Sequence, residues 1–448
     1  MFLPVHSYSS AAPTRPTSSQ RRLALVRFAG VGILLALTAT AYAMILGASP
    51  ALAEDFKTFY AAADVLHRGG NPYDIHQIVA MERRLFPMGT EQQAWARRNP
   101  YIQGILPIAV LTPLLSLPWP VAFAVWTVAL AACLGGALAL LAREWPIQRR
   151  LSRTLLLAGS PVVFVGLLLG QADAVILLAQ CAGALFLARR RPALAGFVLS
   201  VGLFKPQVIA GTMILAALFA WRERFLRRYL IGALGGGAAT CALGVFYDGP
   251  AILVHWGQGL LGFGQAVVPF QVNISSLSAL GILWWPRALA LQGVVLVIVW
   301  CLGMVALFRR PATHEQRWAY AALGQALWFL VTPYAHPHDD ILLLPVLWWV
   351  WRADVLDTRA LRFGWAGFWA LWWLCPDPFL KPLFALLPHA LDGVEYGLFP
   401  VLGLCALLLG VTLRASAAES PASVLTGTRG HRDGPPGAAA DEEGYAHA

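Results

Sequence analysis

Long apolar runs, broken only by short polar segments, are the feature that most restricts how this chain can fold. Hydrophobic residues make up 58% of the 448 residues and charged residues only 12%, against about 25% charged residues in ordinary soluble domains. The apolar core of a bilayer is about 30 Å thick and takes roughly 20 helical residues, which satisfy their own backbone groups. The sequence therefore predicts an all-α integral membrane protein, a polytopic bundle of transmembrane helices in one domain.

Basic residues stand in short clusters between the apolar runs. The clusters are Arg21, Arg22 and Arg27; Arg143, Arg149, Arg150 and Arg153; Arg189 to Arg191; Arg222, Arg224, Arg227 and Arg228; Arg309, Arg310 and Arg317; and Arg352, Arg359 and Arg362. A net charge of +10 also occurs in nucleic-acid-binding proteins, but there the basic residues form one patch or stripe. Here they fit the rule that basic loops stay in the cytoplasm, and we expect no nucleic-acid partner.

Keeping every arginine cluster inside determines which segments face outward. It requires about twelve crossings, several of them short, with both termini inside. The segment Tyr101 to Leu117 then must not cross, and because it carries Pro107 and Pro113 we interpret it as lying in the outer interface or dipping in and returning. The outer segments are Ala48 to Pro118, Gly170 to Asp173, the break at Lys205 and Pro206, Tyr247 to Pro286, Thr332 to Asp340, and Pro376 to about Asp392.

Composition divides the chain into three parts. Residues 1–22 are polar and rich in Ser, Thr and Pro, so we expect a disordered cytoplasmic N-terminus before an uncleaved signal anchor from Leu23. The membrane domain covers residues 23–414 and includes a first outer loop, residues 48–118, with interfacial helices. Residues 415–448 are expected to be a disordered cytoplasmic tail. The six cysteines stand singly in or beside apolar runs, which indicates neither disulfides nor a zinc site.

Two adjacent carboxylates, Glu54 and Asp55, lie where the first apolar run reaches its outer end. Ionisable groups at membrane depth cost about 2.5 to 3.5 kcal/mol on insertion scales and tend to face a cavity. The residues after them predict an amphipathic helix on the membrane surface, with an apolar face made of Phe56, Phe59, Tyr60, Ala63 and Leu66. We interpret Asp55 as a general base at this mouth. The alternative is that its carboxylate only caps the helix.

Two further polar sites fall on the same predicted outer side. In "LLLGQADAVILL", Gln171 and Asp173 interrupt apolar segments; they are candidates for substrate binding, and the alternative is a simple turn. In "GLFKPQVIAG", Lys205 precedes Pro206 inside an apolar stretch. Proline opens the helix, and a lone ammonium there must find an anion or snorkel to the interface. A phosphate suits a compact ammonium, so Lys205 is a candidate phosphate ligand.

A third site, "FLVTPYAHPHDDILLLP", packs His336, His338, Asp339 and Asp340 between apolar runs. Such a cluster is costly at a membrane edge, which favours a role in binding over a plain loop. Histidine and aspartate also suit a metal ion. Pro337 disfavours a regular element that presents both histidines, and we expect no metal.

The basic pair Arg97 and Arg98 precedes "NPYIQG" in the first outer loop. The pair is another candidate for the phosphate. The alternative is that an exposed loop carries it for solubility.

Several of these stretches, taken in order, resemble the bacterial family 87 glycosyltransferases. They are "DFKTFYAAADVLHRGGNPYD", "NPYIQGILPIAVLTPLLSLP", "GQADAVILLAQCAGALFLARRRPALAGFVLSVGLFKP", "NISSLSAL" and "TPYAHPHDDILLLPVL", and the resemblance runs from about Leu23 to about Arg414. That family belongs to the C-type superfamily of membrane enzymes that use polyprenyl-phosphate sugars, and includes the mannosyltransferase that elongates phosphatidylinositol mannosides. The resemblance implies a helical bundle with a long first outer loop and Asp55 as the catalytic base. "NPYIQG" stands where a "YPP"-like sequence is common, and "AHPHDD" is unusually rich in histidine.

The reaction that this resemblance implies is transfer of a sugar, mannose or arabinose, from a polyprenyl phosphate to an acceptor hydroxyl, through an oxocarbenium-like transition state. Asp55 takes the hydroxyl proton and Lys205 holds the departing phosphate. His336 or His338 orients the acceptor, relays the proton or donates to the phosphate. Attack on the far face inverts the anomeric carbon. Because the leaving phosphate carries one lipid ester and no pyrophosphate, we expect neither a metal nor a cofactor besides the donor substrate.

The expected partners are membrane lipids, the polyprenyl-phosphate sugar donor and a glycolipid or glycan acceptor. The expected location is the inner cell membrane, with the active site on the periplasmic side. A polytopic transporter or lipid flippase with an outward-facing polar cavity is the alternative, since broken helices and intramembrane charges also mark transporters. Against it, the polar residues gather at one face, and the second half of the chain does not repeat the first.

The predicted topology is open to cysteine labelling. A single cysteine at Gln92 or Gln258 is expected to react with an impermeant maleimide in intact spheroplasts, whereas one at Gln148 reacts only after permeabilisation, because the arginine clusters keep it inside. Labelling at Gln148 from outside would mean that Tyr101 to Leu117 crosses the membrane.

Overall fold

The computed structural model describes residues 53–86, 101–143, 145, 147–267, 289–332, 335–352, 359–374 and 398–418, and their regular secondary structure is helical. In chain order the helices are α1 (Glu54–His67), α2 (Ile75–Leu85), α3 (Ile105–Leu111), α4 (Trp119–Ala142), α5 (Ile147–Ala158), α6 (Pro161–Leu169), α7 (Asp173–Ala188), α8 (Pro192–Leu199), α9 (Pro206–Arg222), α10 (Leu226–Asp248), α11 (Ala251–Val267), α12 (Leu289–Arg309), α13 (His314–Val331), α14 (Leu344–Arg352), α15 (Arg359–Leu374) and α16 (Leu398–Ala418). Short 3₁₀ helices occupy Thr112–Ser116, Ser200–Phe204 and Pro337–Leu343.

Some predictions concern residues outside this description. They are the N-terminal segment at residues 1–22, the first span from Leu23, the pair Arg97 and Arg98, and the outer segment from Pro376 to about Asp392. Most of the predicted tail also lies outside it, although α16 continues to Ala418, past the predicted end of the membrane domain at residue 414.

Two of the described helices, α4 and α10, are long and apolar enough to cross a bilayer. A third candidate exists if the segments Arg150–Ala158 and Pro161–Leu169, which meet at 51°, form one bent span. Other apolar helices, such as Asp173–Ala188 and Pro206–Arg222, are shorter than the roughly 20 residues that a full crossing takes. The structure therefore supports a membrane protein, while the prediction of about twelve crossings is not confirmed.

Helix α1 is enclosed by its neighbours instead of resting on a surface by one face. Phe56 and residues 58–66 are all buried, against α2, α3, α6 and the 3₁₀ helix after α3. On α2, Glu82 Oε1 accepts a 2.8 Å hydrogen bond from the Thr58 hydroxyl. The helix itself was predicted correctly, but the single apolar face was wrong because protein surrounds α1 on most sides.

Helices α8 and α10 pack closely because glycine lies at their contact. A Cβ at Gly232 would stand only 1.8 Å from the carbonyl oxygen of Ala193. The Ser200 hydroxyl, after α8, is 2.9 Å from the carbonyl oxygen of Ala233 on α10. Small residues let helix backbones approach one another in membranes, where lipid gives no hydrophobic force between helices. The contact therefore depends on the absence of a side chain at Gly232.

A chain of buried hydrogen bonds joins α7, α9 and α13. Gln180 Nε2 donates to the Thr212 hydroxyl at 2.6 Å, and that hydroxyl donates to Gln325 Oε1 at 2.8 Å. Gln180 lies about two helical turns beyond Asp173, and Thr212 the same distance beyond Lys205. The network therefore fixes the rotation and height of the helices that begin at these two charged residues.

The close contact of α8 and α10 gives a matched pair of variants. Gly232→Ala is expected to lower the free energy of unfolding by about 1–3 kcal/mol, because the added methyl group overlaps backbone. Gly235→Ala on the same helix is the control: a Cβ there meets no atom within 4 Å, and alanine stabilises a helix by about 0.5–1 kcal/mol over glycine. Thermal unfolding in detergent measures both, and equal Tm values would contradict the close packing.

Candidate functional site

Three chain breaks meet at one end of the bundle. The first is the turn between α6 and α7, where Gly170 has a φ of 79°. The second is Lys205, whose backbone leaves the helical region between a 3₁₀ helix and α9. The third is the 3₁₀ helix Pro337–Leu343, which packs on α6 and α7. The polar sites that the sequence placed on one side are therefore close together in space.

Lys205 lies at the centre of this group and makes two ion pairs. Its Nζ is 2.8 Å from Asp173 Oδ1 and is also bonded to Asp339 Oδ1. All three side chains are almost completely buried. Taking a charge out of water costs several kcal/mol, and close hydrogen-bonded partners offset that cost. Asp173, Lys205 and Asp339, called here the lysine cluster, therefore tie the three chain breaks together.

The position of Lys205 changes how its role is interpreted. The snorkelling alternative is wrong, because the residue is 3% exposed and its ammonium is bonded to carboxylates. Binding of a phosphate stays a prediction. A phosphate would have to share this ammonium with two carboxylates or displace one of them.

The histidines border the lysine cluster. The rings of His336 and His338 stack with centroids 5.0 Å apart, and the His336 backbone N–H donates to Asp339 Oδ2 at 2.7 Å. His338 Nε2 is 4.0 Å from Asp173 Oδ2, beyond hydrogen-bonding distance. Within the described residues, both of these atoms and Asp340 Oδ1 are buried without a hydrogen-bond partner. The two histidines, Asp340 and the lysine cluster are called here the wall of the site. This wall therefore offers polar atoms that can form hydrogen bonds with a ligand or with water.

Metal-ligand chemistry is present at the same place. Ligand atoms of Asp173, His338 and Asp339 lie within 4.8 Å of one another. The ammonium of Lys205, however, already bonds to both carboxylates and serves as their cation. A divalent ion here would stand beside a buried ammonium, which is electrostatically unfavourable. The residues fit a lysine-centred ion cluster better than a metal site.

Asp55 stands in the first turn of α1, beside the Gly170 turn. Ala53 has a left-handed φ of 62°, and its N–H donates to the Leu168 carbonyl oxygen at 2.9 Å. A Cβ on Gly170 would lie 2.6 Å from Phe56 Cβ, so glycine lets α1 begin this close to the turn. The N-cap position of the helix is Ala53, so Asp55 is not the N-cap residue, and its role as a base stays a prediction. Its side chain remains half-buried.

Two other carboxylates belong to the same outer segment. Burial and, to a smaller extent, the charge of Asp55 raise the pKa of Glu54 to about 8. Burial also raises the pKa of Glu82 to about 7. Lys57 lies near both, with its ammonium 5.5 Å from the ring centroid of Trp119. A pKa near 8 favours the protonated form of Glu54 at pH 7, so we retain Asp55 as the candidate base.

Gln103 is a buried residue of this region that the sequence did not single out. Its Nε2 donates to Gln171 Oε1 at 3.4 Å, which joins the first outer segment to the Gly170 turn. It lies in "NPYIQG", where the chain departs from the common sequence of the family that it resembles. That departure from the common family sequence was the signal by which Gln103 could have been identified.

The structure thus combines a half-buried carboxylate with a buried wall of carboxylates, an ammonium, imidazoles and amides. A carboxylate can take a proton from a hydroxyl group. A mixture of donors and acceptors without a single dominant charge suits a ligand with many hydroxyl groups. Of the predicted site residues, Gln171, Asp173, Lys205, His336, His338 and Asp339 lie together, and Asp55 begins the helix that packs on the same turn.

A helical membrane protein with this site has the features of a membrane enzyme that acts on hydroxyl-rich substrates. Residues 101–333, slightly more than half of the chain, match the family model of glycosyltransferase family 87. The chain belongs to glycosyltransferase family 87 and is a membrane glycosyltransferase. The matched region contains Gln103, Asp173 and Lys205, begins after Asp55 and ends before His338. Neither a curated protein nor a solved structure matches the chain.

The lysine cluster predicts the effect of removing its cation. Lys205→Met is expected to lower the free energy of unfolding by about 3–5 kcal/mol, because two buried carboxylates lose their partner. Thermal unfolding of the purified protein in detergent measures the loss. The triple variant Lys205→Met, Asp173→Asn, Asp339→Asn removes all three charges and is expected to recover part of the stability. Weaker donor binding at unchanged stability would contradict a structural role and support the phosphate role.

Proposed function

We propose that this glycosyltransferase moves a sugar, mannose, from a polyprenyl-phosphate donor to a hydroxyl of a lipid or glycan acceptor. The observation that carries the proposal is the half-buried carboxylate of Asp55 at the start of α1, beside the buried polar wall. The carboxylate has access for an acceptor hydroxyl, and the wall offers hydrogen bonds to a sugar. Family membership favours a transferase over the transporter alternative.

Asp55 acts as the general base in this proposal. It takes the proton of the acceptor hydroxyl while that oxygen bonds to the anomeric carbon and the bond from this carbon to the phosphate oxygen breaks. The electron pair of the broken bond leaves with the lipid phosphate. Attack from the face opposite the phosphate inverts the anomeric configuration, and the charge that develops on the sugar ring is of the oxocarbenium type. No metal or cofactor is needed to balance this step.

The lysine cluster has a positioning role in this proposal. With its ammonium held by two carboxylates, Lys205 orders the wall on which Asp173 and His338 meet the sugar. The residues left for the donor phosphate are His336 and, from the sequence, Arg97 and Arg98. Gln171 and Asp339 complete the proposed substrate-binding set.

The ends of the helices support an outer location for this site. Helix α7 begins at Asp173 and is followed by Arg189, and α9 begins next to Lys205 and ends at Arg222. Each helix therefore has the site at one end and arginine at the other. The positive-inside rule favours the cytoplasm for the arginine ends, and this supports the periplasmic side of the inner membrane for the proposed active site.

Asp55→Asn is expected to lower the transfer rate by at least about 100-fold while expression and donor binding persist, since general-base catalysis is typically worth about 10²–10⁴-fold. The assay uses radiolabelled polyprenyl-phosphate mannose with membranes from an overexpressing strain. Glu54→Gln is the matched control and is expected to be mild, because Glu54 is already mostly protonated at pH 7.

Two outcomes would count against the proposal. Retention of more than about a tenth of the rate by Asp55→Asn would exclude a general-base role. Uptake or scrambling of the labelled lipid by the wild type, without labelled product, would indicate a transporter.

A further inference from the structure

The carboxamide of Gln103 is buried with an open hydrogen-bonding position. The residue is 7% exposed, and the bond from its Nε2 to Gln171 Oε1 is long, at 3.4 Å. Among the residues that the structure describes, Gln103 Oε1 has no hydrogen-bond partner. Turning the amide over exchanges its oxygen and nitrogen, but one of its polar atoms stays open in either orientation.

The backbone on both sides of Gln103 is held by hydrogen bonds, which fixes the direction of its side chain. The Ile102 carbonyl oxygen accepts from Trp256 Nε1 at 3.1 Å. The Gly104 N–H donates to the Phe204 carbonyl oxygen at 2.7 Å, in a contact so close that a Cβ on Gly104 would lie 2.9 Å from Phe204 Cα. The open polar atom therefore belongs to a rigid part of the protein, one residue from the segment that precedes Lys205.

The open atom, Gln103 Oε1, is a hydrogen-bond acceptor, and this determines which ligand group it can bind. A buried carbonyl oxygen without a partner is unfavourable, so it is expected to accept a hydrogen bond. An ionised phosphate oxygen has no hydrogen to donate, whereas a hydroxyl donates one hydrogen bond and accepts another. Two neighbouring amides offer both an acceptor and donors. With the amide oriented as the structure shows it, the pair of Gln103 and Gln171 therefore fits a hydroxyl group better than the donor phosphate.

We propose that Gln103, together with Gln171, binds one hydroxyl of the transferred sugar and thereby helps to determine which sugar is accepted. This inference rests on the proposed glycosyl transfer. The transferred sugar suits the position better than the acceptor does, because Gln103 is buried while the proposed base Asp55 is half-buried and open to the acceptor. Gln171 also lies two residues before Asp173 of the lysine cluster. A site built to hydrogen-bond a hydroxyl rejects the analogue that lacks it.

The test pairs a variant of the protein with variants of the sugar. The full chain in detergent is supplied with host membrane lipids as acceptor, and with synthetic short-chain polyprenyl-phosphate mannose or its 2-, 3-, 4- or 6-deoxy form as donor. In the wild type, one deoxy donor is expected to lose about 10- to 100-fold in kcat/KM. Gln103→Met is expected to lose a similar factor with the parent donor but nothing further with that deoxy donor, because the partner hydroxyl is already missing.

Controls separate this inference from the proposed function. Gln258→Met, at an exposed glutamine on α11, is expected to behave as the wild type with every donor. Gln171→Met is expected to follow the same pattern, with a loss for the parent donor and nothing further for that deoxy donor, and provides a second test. If Gln103→Met matches the wild type, or loses the same factor with every donor, the inference is overturned and the proposed function stands. If the wild type transfers no sugar from the parent donor, the proposed function fails and the inference with it.

Discussion

The ion pairs of Lys205 with Asp173 and Asp339 are the contact on which the site end of the bundle depends. Each of these charges alone is expensive at this degree of burial, and each is tolerated because the other two are present. The residues come from separate chain breaks, so the cluster forms only when α7, α9 and the 3₁₀ helix before α14 are packed together. The wall of the site is therefore a product of tertiary folding.

The contacts that satisfy the backbone groups at the chain breaks also assemble the site. Breaks in membrane helices free backbone groups that lipid cannot satisfy, so they are found where protein or water covers them. Here the Gly170 carbonyl oxygen accepts from Trp126 Nε1 at 2.7 Å, and the Phe204 carbonyl oxygen accepts from the Gly104 N–H. Each break is covered by a segment from elsewhere in the chain, and these contacts bring the polar side chains next to one another.

Charge placement was enough to predict that the polar sites converge, because keeping arginine inside allows only one set of outer segments. It was not enough to predict their pairing. Lys205 is 32 residues from Asp173 and 134 from Asp339, and no periodic pattern relates positions so far apart. Gln103 was missed because a single amide forms no periodic pattern, and its position in "NPYIQG" was not followed up as a signal. The number of spans is not confirmed, because hydropathy measures apolar length, while breaks such as that at Lys205 leave described helices too short to cross alone.

In the proposed transfer, the charges of the lysine cluster also limit where the phosphate of the proposed donor can lie. The ammonium of Lys205 is already held by two carboxylates, and a phosphate placed against it would meet their oxygens at short range, where like-charged groups repel one another. An uncharged sugar gains hydrogen bonds from the same atoms without that repulsion. The sugar end of the donor therefore suits the wall, and its phosphate suits basic groups outside it. We expect the anomeric carbon, which joins the two ends, to lie between the wall and Asp55, where the acceptor hydroxyl has access.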